Sequence, residues 1–148
     1  MTASSVELTG TTLHNGVASG VVLELDGPLS FWGGVDESGR IVDRHHPQSG
    51  ASVRRRVLAM TSGRGSSSSA NVLAELLRTG NGPAGIVMTE PDAIVTLGAI
   101  VASELYEIAM PIVVLSSREY ARLSDNALIT VDASESTASL TQPSESFR

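Results

Sequence analysis

The residues of this chain best suited to chemistry form a loop rich in glycine and serine, at positions 61–69. Gly63, Arg64 and Gly65 come first, and a run of four serines follows. The next residues repeat apolar side chains at the spacing of one helix face, at Val72, Leu73, Leu76 and Leu77. A helix N-terminus carries unpaired N–H groups and partial positive charge, and glycine lets the backbone approach a bound group. The pattern therefore predicts a loop that binds a carboxylate or phosphate, with an exposed serine N-cap as the alternative.

The loop differs from the common nucleotide-binding motifs. No Lys-Ser or Lys-Thr pair closes it, which separates it from a P-loop. The third glycine of a dinucleotide-binding fingerprint is also missing.

The elements that must position this loop are a buried strand before it, at residues 57–60, and a helix after it that ends at Gly80. Apolar runs and periodicity predict further elements: strands around 6–8 and at 16–27, 84–89, 110–115 and 126–133, a helix at about 97–107, and a short helix at 117–123. This order predicts an α/β domain, in which helices pack on a mixed sheet or small barrel.

A second informative stretch runs from Pro28 to Gly50. It predicts a short strand at 29–32, a hairpin turn at 36–39 and a returning strand at 40–43. Between them, Gly33 and Gly34 permit unusual backbone angles or close approach to another group. Phe31 and Trp32 are rare aromatic residues in this chain, so we expect them either in the core or at an interface or pocket.

Two polar clusters have an ordinary explanation. His45 and His46 are adjacent, so they point to opposite sides of an extended chain, and no third ligand stands at metal spacing. We expect a surface or hydrogen-bonding role for them and no metal site on this chain. The basic run at residues 54–56 is either a solvated strand entry or a surface for an anion or partner.

Composition bounds the remaining possibilities. The 148 residues are 41% hydrophobic but only 3% aromatic, which predicts one domain with an aliphatic core. A net charge of −6 disfavours nucleic acid as a partner, and the lack of cysteine excludes thiolate-held metals and clusters on this chain. Without an apolar run of membrane-spanning length or a recognisable leader, we expect a cytoplasmic protein with no membrane partner. We place the domain at residues 1–133 and a disordered, serine-rich tail at 134–148.

Three segments taken together, at residues 28–50, 62–87 and 90–114, resemble the swivelling domain or separate small subunit of the aconitase X family. The resemblance covers roughly Gly16 to Asp132. It implies a swivelling β/β/α domain that closes on a larger, cysteine-bearing subunit with an iron–sulfur cluster. Known members dehydrate cis-3-hydroxy-L-proline or mevalonate 5-phosphate.

The resemblance also implies roles for the loop. Related aconitase loops read Gly-x-Gly-Ser-Ser-Arg, and their first serine is the catalytic base; this position is Ser66 here. The second serine is Ser67, whereas Ser68 stands in the place of the arginine. Arg64 is then the only local cation. The residues that the resemblance and the loop chemistry assign to substrate binding are Arg64, Gly65, Ser67, Gly33 and Gly34.

Three classes of function stay open at this point. The first is a dehydratase subunit that is active only with its larger partner, and the second is a regulatory module that binds a small anion without chemistry. The third, a phosphohistidine carrier, would need a histidine in the loop, and none is there. For a dehydratase, we expect cis-3-hydroxy-L-proline over mevalonate 5-phosphate, because Asp36, Glu37 and Asp43 would repel a phosphate and few cations would hold it.

Overall fold

A computed structural model describes residues 5–64 and 66–143 of the chain. Within these residues it contains the following elements: β1 (Ser5–His14), β2 (Gly16–Glu24), α1 (Phe31–Gly34), β3 (Val57–Ala59), α2 (Ser68–Thr79), β4 (Gly85–Met88), α3 (Ala93–Tyr106), β5 (Ile112–Val114), α4 (Ser117–Tyr120), β6 (Leu128–Ala133) and β7 (Thr137–Pro143). None of the helices in this part of the chain has the length and apolarity needed to cross a membrane.

The strands form a closed barrel in the order β1-β5-β4-β3-β2-β6-β7. Neighbours from β2 through β3 and β4 to β5 are parallel, and the remaining pairs are antiparallel. In the parallel wall, Leu58 is in register with Leu23 and Ile86. Parallel neighbours require crossover connections: α2 connects β3 to β4, α3 connects β4 to β5, and the segment 25–56 connects β2 to β3. The predicted α/β domain with a small barrel and packed helices is confirmed.

Alternation along the strands divides the core into two layers. On β3, Val57 and Ala59 belong to a cluster inside the barrel, whereas Leu58 belongs to a cluster beneath the helices. The second cluster includes Leu73 of α2 and Ala99 of α3. The two helices therefore pack on the outside of the parallel wall, and their N-termini follow the adjacent strands β3 and β4.

Residues 29–43 do not form the predicted pair of strands. Phe31–Gly34 is instead a short helical segment with a kink, where Gly33 has a φ of 79°. The turn at 36–39 is present, but residues 35 and 41 meet only as an isolated bridge. In place of a strand ladder, this stretch forms individual hydrogen bonds, among them those from the Trp32 N–H to the Ser69 hydroxyl and from the Ile41 N–H to the Ala51 carbonyl. Such contacts depend on the tertiary structure more than on local strand propensity.

The predicted disordered tail is wrong for residues 137–143, which form β7 and pair with β1 from Thr137 to Pro143. In this strand Ala138, Leu140 and Gln142 are buried while their neighbours are largely exposed. The inward side chains include a small residue and a polar one, so the alternation is weak in terms of hydrophobicity. The last five positions of the predicted tail, 144–148, lie outside the described residues.

Candidate functional site at the start of helix α2

The two glycine-containing stretches that the sequence singled out lie side by side. Leu29 and Gly63 form a parallel bridge, and the N–H of Arg64 donates to the Leu29 carbonyl at 3.2 Å. The N–H of Trp32 donates to the Ser69 hydroxyl at 3.1 Å. Helix α1 is thereby held against the first turn of α2, so residues more than thirty positions apart share one surface.

Ser66 and Ser67 are both exposed at this end of α2, but they differ in their hydrogen bonds. The Ser66 hydroxyl accepts from the N–H of Ser68 at 3.2 Å. Ser67 occupies the N-cap position, yet its side chain forms no capping bond. The serine that receives an N–H group of the helix is therefore Ser66. A fixed N–H group directed at an oxygen also favours the ionised form of that oxygen.

Ser69 is a member of the site that sequence reasoning missed. It is only 4% exposed, accepts from the backbone of Trp32, and lies 3.5 Å from the Ser30 hydroxyl. Its spacing from Leu73 and Leu76 places it on the buried face of the helix, and that spacing was readable in the sequence.

A cavity of about 180 Å³ opens beside the loop. Its walls are formed by Leu29, Phe31, Gly63, Arg64, Ser69, Asp92, Ile94 and Val95. The lining thus combines apolar side chains with one cation, one carboxylate and one hydroxyl. Ser66 is not part of this lining, but its carbonyl accepts from the Ser69 N–H at 3.0 Å, so the cavity and the proposed base share one turn of backbone.

Asp92 is the second residue that sequence reasoning missed. One carboxylate oxygen, Oδ1, accepts from the N–H groups of Ile94 and Val95 at 2.9 and 3.0 Å, and so caps α3. The other oxygen, Oδ2, lies 2.6 Å from the place where a Cβ on Gly63 would be. Only glycine at position 63 permits this contact. An aspartate directly before an apolar helical run is an N-cap signal, and it explains why α3 begins at Ala93 rather than near residue 97.

The three glycines predicted to bind substrate differ in their environments. Gly33 is exposed and has the left-handed backbone that favours glycine. Gly34 is buried, packs on Leu29, and uses its carbonyl to accept from the N–H of Val42. Gly65 lies outside the described residues. The substrate-binding roles of these glycines therefore stay predictions.

The two aromatic residues of α1 have opposite environments. Phe31 is 1% exposed and belongs to the core, whereas Trp32 is 58% exposed. Core packing thus accounts for Phe31, and Trp32 remains on the surface beside the loop.

His46 has a structural role. Its Nδ1 accepts from the N–H of Gln48 at 3.0 Å, so its Nε2 donates to the Gly27 carbonyl at 3.1 Å. This arrangement matches the expected hydrogen-bonding role. Over the described parts of the chain, no three His, Cys, Asp or Glu side chains are grouped so that they could hold a metal ion.

The basic run at 54–56 lies at the other end of α2. The Arg54 guanidinium donates to the carbonyl of Gly80, the C-cap residue, and Arg56 donates to the carbonyls of Val21 and Val22. A helix of twelve residues is roughly 18 Å long, so these arginines lie far from the cavity. Arg54 and Arg56 therefore bind backbone carbonyls instead of joining Arg64 around an anion.

Carboxylates line a wider groove of about 510 Å³ along the flank of α2, where Asp36, Glu37 and Glu75 face apolar Val35 and Val72. The Ser38 hydroxyl donates to Asp36 and lowers the pKa of that carboxyl, and the backbone N–H of Arg40 adds to the effect. Glu75 is paired with Arg78. The surface next to α1 is thus acidic and does not suit a phosphate.

Comparisons with known proteins find relatives of this sequence and fold. Residues 7–140 match the family model of the aconitase X swivel domain. Over 125 residues, 79% of this chain, the sequence is 47% identical to a cis-3-hydroxy-L-proline dehydratase of Pseudomonas aeruginosa, but it spans only 22% of that protein's length. It is 32% identical to the phosphomevalonate dehydratase small subunit of Methanosarcina acetivorans, with 93% of each chain covered.

Among solved structures, the crystal structure of Thermococcus kodakaraensis aconitase X in its holo form superposes with a TM-score of 0.79 at 28% identity. The match covers 91% of this chain and 98% of that one.

Proposed function

Because this chain belongs to the aconitase X swivel-domain family, we propose that it is the small, swivelling subunit of a cytoplasmic dehydratase and works only with a larger subunit. Two kinds of relative, a separate small subunit and a longer dehydratase, support the proposal. The small-subunit relative is matched over nearly its whole length, and the hydroxyproline dehydratase is matched over about a fifth. A swivel domain of this kind therefore occurs both as a separate small subunit and as part of a longer dehydratase, and we propose the first arrangement here.

The observation that carries the proposal is the environment of Ser66. Its hydroxyl is exposed at the start of α2 and accepts the N–H of Ser68. A serine is a weak base in water, and it can act as one when fixed dipoles stabilise its alkoxide. The backbone N–H and the positive end of the helix provide such dipoles. We assign Ser66 as the base that removes the α-proton of the substrate.

The proposed reaction removes one molecule of water. Ser66 Oγ, as an alkoxide, takes the proton from the carbon next to the carboxylate. The electron pair of that C–H bond forms a carbon–carbon double bond, and the hydroxyl on the neighbouring carbon leaves with its bonding electrons and takes a proton from an acid of the larger subunit or from solvent to become water. Ser66 then gives its proton to solvent, which restores the alkoxide. Arg64 would hold the substrate carboxylate. The group that assists the leaving hydroxyl lies outside this chain.

An iron–sulfur cluster is implied by the family, but this chain does not fit it as a ligand-bearing subunit. The sequence contains no cysteine, and the described residues hold no cluster of three metal-ligating side chains. Cysteine thiolates are the usual ligands of such clusters. We therefore assign the cluster to the larger, cysteine-bearing subunit and assign no step involving it to residues of this chain.

The proposed substrate is cis-3-hydroxy-L-proline. A phosphate carries close to two negative charges at neutral pH in addition to the substrate carboxylate, and such an anion needs several cations. The cavity lining contains one arginine, Arg64, and one carboxylate, Asp92, which would repel a phosphate. Mevalonate 5-phosphate remains the second candidate, because the small-subunit relative with that name is matched along nearly its whole chain.

Reconstitution tests the function. The chain is co-expressed with the larger subunit of the same organism, and dehydration of both compounds is assayed. We expect turnover of cis-3-hydroxy-L-proline by the pair and by neither subunit alone. Turnover of mevalonate 5-phosphate alone would reverse the substrate, and binding of a small anion without turnover of either compound would favour the regulatory module.

The proposed partner surface is the face that carries Trp32 and the first turn of α2. A base must come within hydrogen-bond distance of its proton, so this face must approach a substrate held by the other subunit. We expect amide hydrogen exchange at residues 31–36 and 66–69 to slow when the larger subunit is added. Unchanged exchange in both segments would move the interface elsewhere.

A further inference from the structure

We propose that Asp92 determines specificity by holding the ammonium group of an amino-acid substrate, while Arg64 holds its carboxylate. This inference rests on the proposed function and deepens it, because it names the side chain that separates a zwitterionic substrate from a purely anionic one. Asp92 is outside the glycine-serine loop and outside every motif that the sequence assigned to binding.

The position of the Asp92 carboxylate supports this role. Its Oδ1 is committed to two N–H groups of α3, which fixes the orientation of the whole group. Its Oδ2 lies against Gly63 in the loop, and no hydrogen bond to Oδ2 is present among the described residues. Asp92 also lines the cavity beside the loop. One oxygen thus has a structural task, and the other is available to a ligand at the cavity.

The charges of the cavity match a zwitterion. Arg64 and Asp92 are the charged residues of the lining, and no ion pair of the Arg64 guanidinium is present among the described residues. A ligand that carries one carboxylate and one ammonium group would pair with both. A phosphorylated hydroxy acid would leave Asp92 facing an anion, which disfavours binding.

The size and the walls of the cavity fit a small ring. Its volume of about 180 Å³ is smaller than the roughly 300–1,000 Å³ of sites for drug-sized ligands. The apolar part of the lining consists of Leu29, Phe31, Ile94 and Val95. Such side chains suit the methylene groups of a five-membered ring, with the hydroxyl of Ser69 as an added polar contact.

The competing explanation is that Asp92 only caps α3, so the test must separate charge from capping. Asn caps helices about as well as Asp but carries no charge, whereas Ala can neither cap the helix nor carry a charge. In the complex with the larger subunit, Asp92→Asn should raise KM for cis-3-hydroxy-L-proline by roughly 10- to 100-fold, the range of a lost charged hydrogen bond. The thermal midpoint of Asp92→Asn should stay close to that of the unaltered complex.

A second measurement does not depend on turnover. L-Proline and tetrahydrofuran-2-carboxylate differ in the ring atom that would face Asp92, nitrogen in one and oxygen in the other. Calorimetry on the complex should show tighter binding of L-proline, and Asp92→Asn should abolish the preference. Asp132→Asn is the matched control, because Asp132 also accepts local hydrogen bonds, from Ser134 in an exposed turn.

The outcomes are distinct. Turnover of cis-3-hydroxy-L-proline with an unchanged KM and an unchanged preference in Asp92→Asn overturns this inference alone. No preference for L-proline in an unaltered complex that turns over cis-3-hydroxy-L-proline also overturns this inference alone. Turnover of mevalonate 5-phosphate only overturns it together with the proposed substrate. If Asp92→Asn does not assemble, Asp92→Ser keeps a capping oxygen without charge and gives the same comparison.

Discussion

Two neighbouring loops of this fold have the same topology but different chemistry at the helix that follows. The loop after β3 leads to α2 and the loop after β4 leads to α3, so both helices begin beside each other above parallel strands. At α3, the Asp92 carboxylate accepts two N–H groups. At α2, the exposed hydroxyl of Ser66 accepts one, and the N-cap Ser67 accepts none.

The difference shows that a helix N-terminus does not define a function by itself. At α3 the helix end is occupied by the Asp92 carboxylate, one oxygen of which caps the helix. At α2 the helix dipole acts on a neutral, exposed hydroxyl, whose ionised form it favours. The catalytic role that we propose for Ser66 therefore depends on the chemistry and the exposure of its hydroxyl as well as on the helix dipole.

Removing the Ser66 hydroxyl gives the largest expected effect. Ser66→Ala should lower turnover of the reconstituted complex by about 10²- to 10⁴-fold, the usual contribution of a positioned base, and leave assembly intact. Ser67→Ala is the control, because Ser67 forms no capping bond and should cost far less. Near-normal turnover in Ser66→Ala would show that Ser66 is not the base. The proposed difference in reactivity between the ends of α2 and α3 would then have no support.

The packing that sets the two helix ends side by side is the next target. A Cβ on Gly98 of α3 would lie 2.9 Å from the Ala70 carbonyl oxygen of α2. Gly98→Ala should therefore destabilise the domain by about 1–3 kcal/mol in spite of its better helix propensity, as overpacking does. Chemical denaturation measures this, with Ile100→Ala on the exposed face as control. A more stable Gly98→Ala protein would contradict the close approach of the helices.

The cap of α3 should have a smaller effect on stability. Asp92→Ala removes the acceptor for two N–H groups and should cost about 0.5–2 kcal/mol of unfolding free energy. Asp92→Asn should cost little, since asparagine keeps the capping oxygen. Equal losses in the two variants would mean that charge, and not capping, stabilises this end of the helix.

Placing a carboxylate at α2 should make the two helix ends alike. Ser66→Asp adds a negative charge near the helix N-terminus and should stabilise the domain by about 0.3–1 kcal/mol at low salt. Turnover should be lost, because a carboxylate is a far weaker base than an alkoxide. The thermal midpoint at two salt concentrations checks the electrostatic origin, and a gain that does not decrease with salt would refute it.

The sequence by itself determined much of this protein. Apolar runs and helix periodicity located β3, α2, β4, β5 and β6, because these elements are buried and their patterns are local. The resemblance to the aconitase X swivel domain, carried by the spacing of the glycine-serine loop and its neighbours, is confirmed by the family match. The same local pattern identified Ser66 and Arg64, whose catalytic and binding roles remain proposals.

Only the tertiary structure decided which residues stand around the loop. The contact of Gly63 with Asp92 and the bond from Trp32 to Ser69 join positions far apart in the chain. Such contacts depend on how the barrel closes and how α3 lies on α2, and no pattern within one segment contains that information. The strand β7 illustrates the same limit, because its small and polar side chains become a core face only when β1 and β6 flank it.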